Sequence, residues 1–346
     1  MKYLALIISI AFFSIAFTPY QMSSNETKGK NSVTSVTDQP EELGKVQWIR
    51  NLEEGVQLSK QQKKPIFILF QEVPGCSTCQ QYGQSVLSHP LIVEAIESEF
   101  IPVAIFNNKG GEDDKVLKFF GEPSWNNPVV RIVDHTKKDI VKRVAGNYSE
   151  LGVLTAMSTA LQKSQNPLPE YLSILEREFK AEQNGLEEAT VSMYCFWTGE
   201  KKLAALPGVV ETQPGFMGGK EVVQIKYDPA EIDYKSVLKF AEANDCASHV
   251  FTENEQELEE AKKVVGNSTS SSSKFRLDSD PKYYLSKTKY QYIPMSKLQA
   301  VLVNAEIGKG SNPEFLLSPR QLNYFNKKIS RKSYINVPIE KGWNWN

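Results

Sequence analysis

Amphipathic stretches alternate with short apolar runs through the first half of the chain. Residues 52–61 carry apolar side chains at helical spacing, Pro65 interrupts that pattern, and residues 66–70 form a continuous apolar run. Such a run is typical of a strand that is buried on both faces of a parallel sheet. The alternation continues as a helix after Pro90, strands at 100–106, 129–133 and 140–145, and a helix at 149–162. This order predicts an α/β domain over residues 45–165.

A proline-containing boundary separates this first domain from a second one. Residues 166–169 break the pattern, and a charged helix near 172–182 follows within a connecting segment at 166–187. Beyond it we predict a strand at 190–194, a helix at 200–206 and a strand that begins at Glu221. An amphipathic helix from Tyr234 and a capping box at Thr252 and Glu255 complete the second domain, residues 188–266.

The two ends of the chain differ in character from the domains. Residues 1–16 combine a short cationic start with an apolar run of signal-peptide length, and residues 17–44 are polar and lack periodicity. We therefore predict an exported protein, periplasmic or secreted, with a disordered tether after its signal peptide. The apolar run is too short to favour a stable membrane span, although an uncleaved anchor stays open as an alternative.

A serine-rich linker at 267–274 leads into an aromatic and basic extension at 275–346. Helices are predicted at 294–303 and 318–327, but a segment of this size holds no core of its own. We expect it to pack on the second domain and to supply tyrosines there.

Length and charge narrow the classes of function. A chain of 346 residues is long enough for two ordinary domains with appendages, and its net charge of −1 offers no electrostatic case for binding nucleic acid. The candidate chemistry therefore lies in its four cysteines.

Cys76 and Cys79 form a Cys-x-x-Cys pair directly after the predicted strand at 66–70. On a loop that opens a helix, this spacing puts the first sulfur at the helix N-terminus and the second within disulfide reach, as thiol–disulfide exchange requires. A structural disulfide and half of a zinc site are the alternatives. Zinc usually takes four ligands, and no second cysteine pair exists, so no metal is predicted. His89 and His135 are interpreted as surface or capping residues.

Residues 46–163 resemble the thioredoxin-like fold in the order of elements and in the cysteine pair. The resemblance implies that Pro128 is a cis proline facing the pair, that Cys76 is the attacking thiol and that Cys79 resolves it. The Val-Pro-Gly-Cys segment at 73–76 is closer to a bacterial thioredoxin-like group in which selenocysteine can occupy the first position.

Cys195 lies where a predicted strand gives way to a helix. The positive end of the helix dipole then faces the sulfur, which favours a nucleophilic thiolate. A buried cysteine packed beside two aromatic residues is the alternative interpretation.

Four motifs around Cys195 resemble, in order and spacing, the core of A-type peptide-methionine sulfoxide reductases; they lie at 195–199, 206–212, 215–219 and 221–229. The resemblance implies a split βαβ, ferredoxin-like α+β domain. It also implies that Cys195 attacks the sulfoxide sulfur and that Phe196 and Trp197 pack against the substrate methyl group. Glu221 would protonate the oxygen, with the (S)-sulfoxide of peptide methionine as substrate.

This segment also departs from the family pattern. Tyr194 and Thr198 replace glycines, and Phe216 stands where the family has a substrate-binding tyrosine, so one hydroxyl donor is missing. Two loops are shortened, and Cys246 falls at the position of the family's second binding tyrosine. These differences are compatible with a divergent enzyme or with a retired one.

Cys246 is predicted to resolve Cys195, because the other two cysteines form the Cys-x-x-Cys pair and Cys246 lies in a short polar loop of the same domain. A structural disulfide between Cys195 and Cys246, or a bystander role for Cys246, stays open. His249, in the same loop, is interpreted as a surface residue.

Together these features predict an exported thiol-dependent reductase of oxidised methionine in proteins or peptides. Electrons would pass from Cys76 and Cys79 to oxidised Cys195, an upstream thiol reductant would supply the pair, and no cofactor is called for. Tethering the donor raises its effective concentration. The alternatives are a thiol–disulfide oxidoreductase whose second domain only binds partners, and a non-catalytic binding module.

Overall fold

Strand β1 (Ile66–Gln71) is the centre of the first sheet, and all six of its residues are buried. In this computed structural model, which describes residues 39–266, 268–270, 273–326 and 332–343, the strand order is β2-β1-β3-β4. β2 (Ile101–Phe106) runs parallel to β1, whereas β3 (Val129–Val133) runs antiparallel to it. β4 (Val144–Ala145) extends the antiparallel edge.

Five helices cover the two faces of this sheet: α1 (Leu52–Gln62), α2 (Ser77–Ser85), α3 (Pro90–Glu99), α4 (Glu112–Phe120) and α5 (Glu150–Lys163). Two apolar clusters result. Phe67 and Leu69 belong to one, and Ile66, Ile68 and Phe70 belong to the other. Because side chains of a strand alternate between faces, the continuous apolar run of β1 is explained by a core on each side.

The predicted strand at 140–145 is shorter than expected. Only Val144–Ala145 pairs with β3, together with an isolated bridge between Val133 and Asp139. The segment lies at the edge of the sheet and carries polar side chains. It therefore has a neighbouring strand on one side only, and part of it can separate from β3.

The second sheet has the order β10-β6-β7-β5-β8-β9. Its strands are β5 (Glu187–Ser192), β6 (Val209–Met217), β7 (Lys220–Tyr227), β8 (His249–Thr252), β9 (Ser268–Ser270) and β10 (Arg276–Leu277). Helices α6 (Glu170–Asn184), α7 (Phe196–Leu203), α8 (Tyr234–Ala243) and α9 (Glu255–Val264) accompany it. β6 and β7 form a hairpin whose turn, Gly218 and Gly219, has positive φ at both residues.

Three boundaries in the second domain differ from the sequence prediction. The strand predicted at 190–194 is β5, which spans Glu187–Ser192. The helix predicted at 200–206 begins at Phe196, directly after Cys195. The cap of α9 is Asn254, whose side chain accepts the Glu257 N–H, so the capping box predicted at Thr252 is wrong. Thr252 instead belongs to β8, where it pairs with Ser270 of β9.

Some predicted segments lie outside the described residues or are more ordered than expected. The signal peptide at 1–16 and the tether as far as residue 38 are outside them. The end of the predicted tether, Glu41–Leu43, forms a 3-10 helix with Glu42 and Leu43 buried. Within the serine-rich linker, Ser268–Ser270 pairs parallel to β8 as β9. Composition alone does not reveal the burial of Glu42 and Leu43 or the pairing of Ser268–Ser270 with β8.

The extension folds as short helices: α10 (Tyr283–Ser286), α11 (Lys297–Gly308), α12 (Pro319–Asn326) and α13 (Ile339–Gly342). α11 packs beside α6, and Leu298 and Val303 share an apolar cluster with Ile174 and Val210. In the part of the chain that is described, no helix has the length and apolar character needed to cross a membrane.

Buried carboxylates attach this extension to earlier helices. Glu178 of α6 accepts the N–H groups of Lys297 and Leu298 at the start of α11. Glu94 of α3 accepts from Ser318 Oγ at 2.5 Å and from the Arg320 N–H at 2.8 Å at the start of α12. Negative charge at a helix N-terminus complements the unpaired N–H groups and the helix dipole. The extension therefore contacts the first domain as well as the second.

Candidate active site

Cys76 occupies the N-cap position of α2 and is exposed, whereas Cys79 lies in the first turn of that helix and is fully buried. Their sulfurs are 3.6 Å apart. The Asn127–Pro128 peptide bond is cis, as the thioredoxin-like resemblance implied. Asn127 Oδ1 lies 2.6 Å from Cys79 Sγ, so the loop of Pro128 reaches the cysteine pair.

The two thiols have opposite pKa shifts. A hydrogen bond from the Cys79 backbone N–H lowers the pKa of Cys76, although its slight burial acts against this. Burial raises the pKa of Cys79 to about 12. Cys76 is therefore the sulfur that becomes a thiolate first, and Cys79 remains a protonated thiol until its proton is removed.

Two polar groups beside this pair were missed by sequence reasoning. One is Asn127, described above. The other is Glu72, a half-buried residue with a carboxylate oxygen that lies, together with both sulfurs, in a cluster whose atoms are all within 4.8 Å of one another. Its position just after β1 was the only available signal. These three residues are the group through which this region could hold a metal ion.

Cys195 occupies the corresponding place at the second site, as the N-cap residue of α7. It is half-buried, and the Thr198 hydroxyl lies 3.6 Å from its sulfur as a donor. β5 ends at Ser192, so the chain turns into the helix over three residues. Tyr194, within that turn, is 99% exposed and contributes nothing to the core.

Glu221 lies at the same helix N-terminus. Its Oε2 accepts the Phe196 N–H at 3.0 Å, and its backbone carbonyl accepts the Met193 N–H. In the β6–β7 hairpin, Glu221 pairs directly with Phe216. The structure thus brings together the predicted nucleophile, Cys195, and the predicted acid, Glu221, from positions 26 residues apart in the sequence.

An aromatic cluster borders the two groups. Phe196 is buried at 4% exposure, and its ring lies 5.4 Å from that of Trp197 and 5.2 Å from that of Phe216. Trp197 and Phe216 are half-buried. Phe196 therefore supports the wall from the core side, while Trp197 and Phe216 are more accessible to a ligand.

The extension adds three residues to this wall. Asp278 Oδ2 accepts the Trp197 Nε1–H at 3.0 Å, and the Tyr283 ring stacks on Trp197 with centroids 4.0 Å apart and planes 14° apart. The Arg276 guanidinium lies 4.5 Å from the Phe216 ring centroid. Tyr283 is one of the tyrosines expected from this segment, whereas Asp278 and Arg276 were not predicted, since neither belongs to a sequence motif.

Cys246 lies in the short loop between α8 and β8, as predicted, but its side chain is buried although the loop is polar in sequence. It is 2% exposed, packs in the core of the second domain, and its thiol donates to the Asn244 carbonyl at 3.3 Å. Burial raises its pKa. Ser192, the last residue of β5, pairs with His249, the first residue of β8, so the segments that carry Cys195 and Cys246 lie at the same end of these two strands. All four cysteines are unbridged thiols.

The histidines stand apart from these sites. His89 was predicted to be a surface or capping residue, and it is the N-cap residue of α3, although its side chain makes no capping hydrogen bond. It is not at the surface, because α6 covers the start of α3: the side chain is buried against Phe179, and burial lowers its pKa to about 4. His135 is exposed. His249 does not lie in the loop where it was predicted; it is the half-buried first residue of β8.

The fold and the cysteine pair define the first domain as thioredoxin-like, and a family model described as thioredoxin-like matches residues 47–135. The resemblance of the second domain is also confirmed. It is similar to the peptide methionine sulfoxide reductase MsrA of Methanoculleus marisnigri, with 39% identity over 83 residues, 19% of this chain and 51% of that relative. For MsrA of Geobacter sulfurreducens the identity is 35% over 75 residues, 17% of this chain and 46% of the relative.

Longer but weaker similarity extends to the mitochondrial peptide methionine sulfoxide reductase of Mus musculus, 29% identical over 132 residues, 33% of this chain and 51% of that protein. The chain spans about half the length of the curated relatives it matches. Among solved structures, it is similar to Mxr1 from Saccharomyces cerevisiae (20% identity, TM-score 0.23, 26% of this chain and 74% of that one). It is also similar to the DsbH oxidoreductase (17% identity, TM-score 0.30, 39% and 94%).

Proposed function

We propose that this chain is a thiol-dependent reductase of peptide methionine (S)-sulfoxide whose electrons come from its own thioredoxin-like domain. The observation that carries the proposal is the convergence at the start of α7: the Cys195 sulfur, the Glu221 carboxylate on the next N–H, and the aromatic wall of Trp197 and Phe216. A nucleophile, an acid and an apolar surface are what reduction of a sulfoxide beside a methyl group needs.

In the first step, the Cys195 thiolate attacks the sulfoxide sulfur. A proton from Glu221 and one from solvent let the sulfoxide oxygen leave as water, so that Cys195 is bonded to a positively charged methionine sulfur; general acid catalysis of this kind contributes about 10²- to 10⁴-fold. Water then attacks the Cys195 sulfur and loses a proton, the bond between the two sulfurs breaks, methionine sulfide leaves, and Cys195 becomes a sulfenic acid. Two electrons have then moved from Cys195 to the substrate.

The second step returns Cys195 to a thiol. Cys246 attacks the sulfenic sulfur, water leaves, and a Cys195–Cys246 disulfide forms. Since Cys246 is 2% exposed, the turn between α8 and β8 must move for this bond, and the two Cα atoms must come within about 7 Å. Cys76 then attacks this disulfide and forms a mixed disulfide with one of the two cysteines, while the other is released as a thiol. Cys79 attacks the Cys76 sulfur and releases the second cysteine as a thiol. The resulting Cys76–Cys79 disulfide is reduced by an upstream thiol reductant.

Incubation of the purified chain with each methionine sulfoxide epimer and dithiothreitol tests the proposal. We expect turnover of the (S)-epimer and little of the (R)-epimer. Peptide mapping after one equivalent of sulfoxide should find a Cys195–Cys246 bridge that disappears only when Cys76 is intact. A direct Cys195–Cys76 bridge with Cys246 unmodified would remove Cys246 from the relay. Lack of turnover with both epimers would overturn the activity.

Export is part of the proposal and has its own support in the cationic and apolar pattern of residues 1–16. N-terminal sequencing of the mature protein after expression in a bacterium checks it. We expect a start after residue 16; a chain that retains Met1 in the cytoplasmic fraction would contradict export.

A further inference from the structure

The cluster of Glu72, Cys76 and Cys79 has a property that thiol–disulfide exchange does not require. It places a carboxylate oxygen and two sulfurs within 4.8 Å of one another. Among the described residues, the Glu72 carboxylate has no hydrogen-bond or ion-pair partner. A half-buried carboxylate therefore lies beside the two thiols.

The spacing of these atoms suits a tetrahedral metal ion. Two zinc–sulfur bonds of about 2.3 Å at a tetrahedral angle set their sulfurs about 3.8 Å apart, and the two sulfurs here are 3.6 Å apart. The carboxylate oxygen is within 4.8 Å, and rotation of the Glu72 side chain can close the remaining distance to a zinc–oxygen bond of about 2.1 Å.

The loop between the ligands is folded tightly enough to hold them together. At Gly75, a Cβ atom would lie 2.5 Å from the Glu72 carbonyl oxygen and 2.7 Å from the Cys79 Cβ. The Gly75 N–H also donates to Glu42 Oε1 at 2.7 Å. A side chain at position 75 would therefore collide with the backbone of Glu72 and the side chain of Cys79, so glycine is required there. The three ligand residues are held in one short segment.

Charge supplies the selectivity of the cluster. If both thiols lose their protons, three negative charges stand within 4.8 Å, and a divalent cation neutralises two of them. Thiolate ligands favour zinc and other soft or borderline ions over magnesium and calcium, which prefer oxygen. Because Cys76 is exposed, the fourth coordination position is open to water.

We propose that the reduced chain binds one zinc ion through Cys76 Sγ, Cys79 Sγ and a Glu72 carboxylate oxygen, with water as the fourth ligand. Binding releases the two thiol protons to solvent and changes no oxidation state. Formation of the Cys76–Cys79 disulfide removes both thiolate ligands. Zinc and oxidising equivalents therefore compete for the same pair, which makes the electron donor of this chain sensitive to zinc.

Titration of the full, reduced chain with Co²⁺ under anaerobic conditions tests this site. We expect one equivalent to bind, with thiolate-to-cobalt charge-transfer bands and the visible bands of tetrahedral cobalt, and Zn²⁺ should displace it. Glu72→Gln keeps the shape of the side chain but removes its negative charge, so metal binding should weaken by about 10-fold or more. Loss of a group that only orients a metal ligand already costs about 10-fold. Cys79→Ser and disulfide-oxidised protein should not bind.

The control variants are Glu41→Gln, an exposed glutamate beside α2, and Cys195→Ser, which leaves the Cys76 pair intact. Both should bind as the unaltered chain does. A second measurement is the rate at which iodoacetamide alkylates Cys76: zinc should slow it in the unaltered chain and much less in Glu72→Gln. Equal metal affinity with and without Glu72, or a cobalt signal lost in Cys195→Ser, would overturn the proposal.

Discussion

Cys76 and Cys195 occupy the same local position, the N-cap of a short helix that follows a strand, yet their surroundings differ. The neighbour of Cys76 is a second thiol, Cys79, one turn further along the same helix. The neighbours of Cys195 are the Thr198 hydroxyl and, through the Phe196 N–H, the Glu221 carboxylate. Both sulfurs therefore stand at a helix N-terminus. The adjacent groups decide whether the cysteine is suited to exchange disulfides or to reduce an oxygen-bearing sulfur.

The two sites also differ in how they are assembled. Glu72, Cys76 and Cys79 come from one segment of eight residues. The second site combines α7, the β6–β7 hairpin and the extension, whose Asp278 is 81 positions from Trp197 in the sequence. It therefore depends more strongly on distant contacts, and substitutions far from Cys195 in sequence can alter it.

The largest expected effect separates the roles of the two nucleophiles. With dithiothreitol as reductant, Cys195→Ser should abolish sulfoxide reduction, because serine is a poor nucleophile that cannot carry the oxygen away. Cys76→Ser should leave the rate nearly unchanged, since dithiothreitol bypasses the first domain. The measurement is the steady-state release of methionine from the (S)-sulfoxide. Equal rates in the two variants would remove the distinction.

Glu221→Gln should have the next largest effect. The amide keeps the size of the side chain and can still accept the Phe196 N–H, but it has no acidic proton to give. We expect turnover to fall by about 10²-fold, with a smaller change in KM. The variant Glu188→Gln, on the neighbouring strand β5, serves as the control and should retain activity. An unchanged rate in Glu221→Gln would show that another group supplies the proton.

A smaller effect is expected from Asp278, which acts by positioning Trp197. Asp278→Ala removes the acceptor of the indole N–H, so kcat/KM should fall by about 10-fold, the scale of one hydrogen bond to a charged group. Asp278→Asn retains an acceptor oxygen and should restore most of the loss. The fluorescence of Trp197 is measured in parallel. It is obtained for each Asp278 variant by subtracting the spectrum of the same variant with Trp197→Phe. A loss of activity without a change in the Trp197 signal would contradict positioning.

The smallest effect is the pH dependence of the first pair. The pKa of Cys76 is lowered, so its thiolate persists below the pH at which an ordinary thiol is half ionised, and its alkylation should continue there. The pKa of Cys79 is about 12, so it should resist alkylation until the solution is strongly alkaline. Mass spectrometry of chains treated with iodoacetamide across the pH range gives both profiles. Parallel profiles for the two cysteines would contradict the opposite shifts.

Sequence patterns predicted the first domain closely. The helix at 52–61 became Leu52–Gln62, and the apolar run at 66–70 became the buried strand Ile66–Gln71. These elements are determined by periodicity and by breakers such as Pro65, which act on neighbouring residues. The length of edge strand β4 and the position of the α9 cap at Asn254 were less predictable. More than one local pattern was possible at each place, and backbone pairing in the sheet decided between them.

The sequence by itself determined that Cys76 and Cys195 stand where strands give way to helices, since helix starts depend on residues a few positions away. Only the tertiary structure decided which groups meet those sulfurs. The β6–β7 register set Glu221 opposite Phe216, and the packing of the extension brought Asp278 and Tyr283 onto Trp197. Burial of Cys246 was decided in the same way, by the core that forms around it. Such contacts depend on strand register and on packing between distant segments, which the spacing of residues along the chain does not specify.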